Sequence, residues 1–205
     1  MPVAAGPTIA SGYRVVGEAW FCFGADLHCG NCVRCGRSKI PTMGLKPPQF
    51  RCASDSLLRC VRKAGRLPPI HPLIDLCNAV SIAFAAPIAV FDASRVDGDL
   101  EARHAQGNEA YAASSGEPEY PDPGEVIFAD CAGRAHARRW THRQSARSAV
   151  RHDTVAVLIV AEGVLASAGS DVLQVIAAAR EGSDEPGWQT RKNAILSQAW
   201  PTFEF

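Results

Sequence analysis

Four cysteines near the start of the chain, Cys22, Cys29, Cys32 and Cys35, are spaced C-x6-C-x2-C-x2-C in a loop that also holds His28, Gly30 and Gly36. Two-residue gaps let a short loop bring thiolates onto one Zn at about 2.3 Å. The same run opens like an iron–sulfur motif, but position 39, the usual place of a further ligand, is Lys39. Zn is therefore the preferred metal, and a reduced loop that binds nothing is the alternative. A second chemical stretch spans 134–152, with six Arg, three His and no carboxylate. Such a run can contact phosphates, and Trp140 within it can stack on a terminal base. The plainer reading is a hairpin strand whose alternate side chains face water. Cys52, Cys60 and Cys77 read as semi-buried thiols, and no His or Asp is placed by sequence to make Cys77 a nucleophile.

The elements that must position these groups begin with residues 68–92, PPIHPLIDLCNAVSIAFAAPIAVFD. Pro72 suits a first helical position, Asp75 falls in the first turn, and Leu73, Leu76, Cys77, Val80 and Phe84 recur at helical spacing. Asn78 and Ser81 interrupt this apolar helix, which Pro87 ends before a strand at 88–91. Upstream, Ser54 is expected to cap a short helix with Leu57, Leu58 and Val61 on one face and Gly65 as its stop. Downstream, 99–105 reads as a strand, 107–108 as a turn, and 114–125 as a polar, acidic loop. Residues 126–140 read as a hairpin. The apolar run 154–161 predicts a central strand buried on both faces. Residues 171–179 read as a helix with Ser170 as cap and Gly182 beyond its end, and 189–199 as a last short helix. Residues 13–23 fit either a strand or a short helix. Helices interspersed with hairpin-connected strands define an α+β fold: a central mixed or antiparallel sheet with flanking helices. The expected division is a Cys-rich segment over 1–42, the α+β domain over 43–182 and a tail over 183–205.

Bulk composition narrows the classes further. The 205 residues carry 21 Lys+Arg against 21 Asp+Glu, so no global field draws the chain to nucleic acid or to an anionic membrane. Locally the balance is uneven: residues 92–130 hold ten carboxylates against two Arg, just ahead of the basic stretch. No apolar run reaches the length of a membrane span, and no signal peptide is recognisable, so a cytoplasmic protein with reduced thiols is expected. No Gly-rich phosphate loop is present.

The stretches HPLIDLCNAVSIAFAAPIAVFD, DLEARHAQGNEAY, PDPGEVIFADCAGRAHARRWTHRQ and HDTVAVLIVAE, in that order, resemble the editing domain of the phenylalanyl-tRNA synthetase beta subunit. More narrowly they resemble the free-standing bacterial proteins built from that domain alone. The likeness runs from about Met43 to Ala179. It implies an α+β fold and a pocket that hydrolyses tyrosine mischarged onto the phenylalanine tRNA. The family's Thr-Asn pair on the helix falls on Cys77 and Asn78, its His on Ala89, and its pocket Glu near Val160, with Glu162 two places on. The Trp-x-Trp-Arg-Gln segment of the free-standing group falls on Trp140, His142, Arg143 and Gln144.

These correspondences imply the candidate roles. Asn78 is the expected donor to the substrate or its oxyanion and His142 the expected base, with a bound water as nucleophile. Arg143 and Gln144 are the expected substrate clamp, with Cys77, Trp140 and Glu162 also at the pocket. Asp75 reads mainly as compensation of the helix N-terminus. The expected activity is deacylation of mischarged tRNA, with tRNA or aminoacyl-tRNA as partner, no DNA, no membrane and no required cofactor. The alternatives are a non-catalytic tRNA- or amino-acid-binding module, and a metal-binding protein working through the N-terminal cysteines.

Overall fold

The structure is a computed structural model that describes residues 17–24 (backbone), 53–139, 141–162, 168–183, 187–196 and 202–204. Among the described residues the elements are three α-helices, α1 (Ala53–Ala64), α2 (Pro72–Phe84) and α3 (Ala168–Ser183), and ten strands. The strands are β1 (Gly17–Gly24), β2 (Ile88–Asp92), β3 (Leu100–His104), β4 (Ala110–Ala112), β5 (Pro118–Glu119), β6 (Val126–Asp130), β7 (Arg134–Arg138), β8 (Arg143–Gln144), β9 (Ala156–Glu162) and β10 (Trp188–Leu196).

Helix α2 forms where the sequence predicts it. His71 caps it by accepting the Leu73 N–H at its Nδ1, 3.3 Å away, and Pro72 occupies the first turn. The Asp75 carboxylate accepts the Ile70 N–H at 3.0 Å, closing the entry to the helix. Ala85 ends it in the left-handed region at φ 52°, and Ser81 Oγ donates to the Ala86 carbonyl at 2.6 Å. Helix α1 ends at Gly65, φ +73°, as its sequence suggests. Ser54 does not act as its cap, however. It lies inside the helix, fully buried, and its hydroxyl donates to the Ala85 carbonyl at the end of α2.

The first sheet has the order β10-β1-β9-β2. β1 runs parallel to both β10 and β9, while β2 is antiparallel to β9. Because side chains alternate across a strand, Val90, Val157 and Ile159 face α2 and α3, packing with Leu73, Cys77, Val80, Val172, Val175, Ile176 and Trp188. Ala89, Phe91, Leu158 and Val160 face the other way, onto Phe128 and Ala137 of the second sheet. The predicted double-sided burial of β9 is therefore met. The second sheet runs β3-β6-β7-β4-β5, with β8 also paired to β7. The layers are helices, mixed sheet, second sheet, which makes the fold α+β.

Two elements depart from expectation. Residues 188–196 form strand β10, parallel to β1, rather than a short helix. The buried Trp188 fixes its start in the helix–sheet core, and β1 supplies its backbone partners. Helix α3 is longer than predicted, so Ser170 and Gly182 lie within it. Gly182 is there because a Cβ at this position would collide with the Leu76 side chain of α2. Residues 17–24, open to either reading, are strand.

Candidate functional site

The two positions where the sequence resemblance expects polar side chains meet across one ladder. Ala89 of β2 pairs with Val160 of β9, and both are buried against the second sheet. Where the resemblance places a His and a Glu, this chain carries two apolar side chains in register. Glu162 shares the face of Val160 two residues on; it is 3% exposed, and its N–H donates to the Pro87 carbonyl at 3.3 Å. Asn78 is half-buried on α2, with its amide engaged in no hydrogen bond among the described residues. Its neighbour Cys77 faces the core, and burial pushes its thiol up to about 12, which leaves it protonated and unreactive near neutral pH.

The basic stretch is matched by the acidic stretch before it. Arg143 of β8 donates to Glu119 through both terminal nitrogens, at 2.8 and 2.9 Å. Arg138 of β7 donates to both Glu125 and Glu119 at 2.8–2.9 Å, and both guanidinium groups lie over the Tyr111 ring, 5.5 and 5.4 Å from its centroid. The Arg143 hydrogen bond holds the Glu119 carboxyl below its ordinary value; for Glu125, burial works upward and the Arg138 pairing outweighs it. Tyr111 Oη in turn donates to the Gln144 carbonyl at 2.8 Å. Arg134 lies 3.5 Å from Asp97 and 3.6 Å from Asp130. Among the described residues, Arg139, Arg147 and Arg151 are the members of the stretch whose guanidinium meets no carboxylate.

His142, which follows β7 at the tip of its hairpin with β8, turns toward α1. Its Nδ1 is 3.3 Å from Ser56 Oγ, and both residues are half-buried. Ser56 was not singled out by sequence; 86 positions separate the partners, so no local pattern could pair them. Two backbone features bracket the contact. Arg139, three residues before His142, is left-handed at φ 52°, and Ala85, whose carbonyl receives Ser54 of the same α1 turn, is the other non-Gly residue at positive φ among the described residues. A second histidine was also missed. His136 is fully buried, with Nε2 3.1 Å from Asp130 Oδ2 and Nδ1 lacking a hydrogen-bond partner. Burial lowers its pKa, with the Asp130 contact opposing.

The candidate residues thus fall into groups. His142 joins Ser56, Arg143 joins Glu119, and Gln144 lies beside Arg143 in β8. Asn78 belongs to the helix layer on the opposite face of β2 and β9 from the second sheet. Trp140, Cys29, Cys32 and Cys35 lie outside the described residues, as does the side chain of Cys22 in β1. Among the described residues no group of three metal-binding side chains occurs, and no helix is long and apolar enough to cross a membrane.

A family model described as the B3/4 domain matches residues 41–172, well over half the chain, and the chain belongs to that family. It is 39% identical over 67 residues to the phenylalanine–tRNA ligase beta subunit of Nitrobacter winogradskyi, and 38% over 64 residues to that of Bradyrhizobium diazoefficiens. These matches cover 33% and 31% of the chain and 8% of each relative, so the chain spans a small part of the ligase subunits it matches. A crystallised N-terminal fragment of the phenylalanyl-tRNA synthetase beta subunit from Pyrococcus horikoshii is 13% identical, with a TM-score of 0.49 over 95% of this chain and 56% of that one.

Proposed function

We propose that this B3/4 domain is an editing-type aminoacyl-ester hydrolase that removes an amino acid from mischarged tRNA. The observation that carries the reading is family membership across 41–172, with local identity to phenylalanine–tRNA ligase beta subunits. Asn78, half-buried and with an uncommitted amide, is the donor to the substrate carbonyl or its oxyanion. His142 is the base, with water the final acceptor of the acyl group. Gln144 and the edge of Arg143 not held by Glu119, side by side in β8, are the substrate contacts in this reading. The apolar Ala89–Val160 pair argues for an amino acid other than tyrosine, since no charged or imidazole side chain stands there to meet a phenol hydroxyl. A protein in the cytoplasm follows from this role.

The apolar Ala89–Val160 pair, where the resemblance expects polar side chains, favours keeping a second reading, a module that binds tRNA or an amino acid without hydrolysis. Deacylation of a panel of mischarged tRNAs separates the two. The hydrolase reading expects at least one ester to be cleaved faster than in buffer; binding with no cleavage anywhere in the panel supports the module. Contact with phosphates would rest on Arg139, Arg147 and Arg151. Three such contacts give a slope of about −2 to −3 in log K against log salt, and a slope near −6 would require the paired arginines to open. Zinc on Cys22, Cys29, Cys32 and Cys35 is a separate proposal, tested by metal content of the purified full chain; loss of bound Zn in the Cys32→Ser variant is the expected result.

A further inference from the structure

We infer that Ser56 and His142 form a nucleophile–base pair, so that the acyl group passes through a covalent ester on Ser56 before reaching water. The Ser56 hydroxyl is 3.3 Å from His142 Nδ1, within the range shown by activated serines in unliganded sites. Both side chains are half-buried, sheltered enough to be fixed and open enough to be reached. Ser56 belongs to the first turn of α1, where the helix field stabilises negative charge developing on its oxygen. The pair is held from both sides. Ser54, on the same turn, is anchored to the Ala85 carbonyl, and the His142 N–H donates to the Arg139 carbonyl at 3.3 Å. Left-handed Arg139, three residues before His142, is a strained position that the surrounding fold must enforce, and such positions cluster at working sites. Neither the buried Cys77 nor the fully buried His136 offers an accessible alternative nucleophile or base.

The step balances without a cofactor. Ser56 Oγ bonds to the acyl carbonyl carbon while its proton passes to His142 Nδ1. The adduct collapses by breaking the bond from that carbon to the ribose oxygen, which takes the proton from His142. Water then attacks the acyl-serine, its proton passes to His142, and the carboxylic acid leaves as Ser56 Oγ regains a proton. The substrate class is a small acyl ester. Only its identification as an aminoacyl ester rests on the editing reading.

The test uses the full chain with p-nitrophenyl acetate and with a fluorophosphonate, read by release of p-nitrophenol and by peptide mass mapping. The expected result is a burst stoichiometric with protein and a fluorophosphonate adduct on Ser56, both abolished in Ser56→Ala. In His142→Ala they should slow by at least about a hundredfold. Circular dichroism of both variants checks that they fold. No adduct on Ser56, or wild-type ester turnover in folded Ser56→Ala, overturns the pair. Labelling of Ser56 in a protein that cleaves no aminoacyl-tRNA leaves the pair standing and removes the editing reading instead.

Discussion

Arg143 comes from the same pentapeptide as His142 and Gln144, yet its guanidinium is turned into the domain, onto Glu119. The charge imbalance between 92–130 and 134–152 was legible in the sequence; its resolution was not, because the partners lie 13–24 residues apart and meet only through the pairing of β4, β5, β7 and β8. The two pairs differ in burial. Arg138 and Glu125 side chains are each 5% exposed, whereas Arg143 is 34% exposed. Replacing one member of a buried pair strands the other charge, so Glu125→Ala should cost about 3–5 kcal/mol in urea unfolding. Arg143→Met, at the exposed rim, should cost about 1 kcal/mol or less. Equal losses would mean that the network is solvated throughout.

Among elements, α2 was legible because its signals agree: Pro72 at the first position, an acid in the first turn and apolar spacing on one face. β10 was not. Its apolar residues Trp188, Ala194, Ile195 and Leu196 do not alternate, and its exposed middle, Arg191 to Asn193, carries no period. It is a strand because β1 and the helix–sheet core hold it, a tertiary cause invisible in the segment. Gly182 was misread for a related reason. Glycine near a helix end usually stops it, but here it clears space for Leu76. By propensity Gly182→Ala should stabilise α3 by about 1 kcal/mol; the clash with Leu76 should override that and yield a net loss of about 1–3 kcal/mol. Urea midpoints of the two proteins decide it, and a raised midpoint in the variant would show that the Leu76 side chain moves aside at little cost. Of the candidate site, Asn78, His142, Arg143 and Gln144 were legible only through family likeness. Ser56 and the buried Asp130–His136 pair were not legible, since the first needs a contact across the fold and the second a tight turn that folds β7 back on β6.

For the whole molecule, the internal charge pairing makes acid the natural denaturant. Burial works to raise the Glu109 pKa, but N–H groups of Gln106 and Gly107 and the Arg103 guanidinium outweigh it and bring it to about 2, against an ordinary 4.5. A carboxylate depressed on folding contributes stability that is present above 4.5 and is lost as pH falls toward 2. Glu119, Glu125 and Asp130 shift in the same direction. Burial lowers His136 below 6.5, so the unfolded chain takes up its proton first and stability also declines as pH drops below 6.5. All these signs agree. The urea midpoint should fall continuously from pH 7 to pH 4, and a maximum of stability below pH 5 would contradict the pairing.

The helix layer, mixed sheet and second sheet place an uncommitted Asn78 and a paired Ser56–His142 in a B3/4 domain that carries Cys77, Ala89 and Val160 where the sequence resemblance expects a Thr, a His and a Glu. Hydrolysis by such a domain must draw on residues other than those three. Single-turnover decay of a panel of aminoacyl-tRNAs, with the full chain in excess, measures this most directly. At least one ester should decay faster than in buffer, and Asn78→Ala should slow it by about tenfold or more with an unchanged unfolding midpoint. Decay of every ester in the panel at the buffer rate would contradict the account.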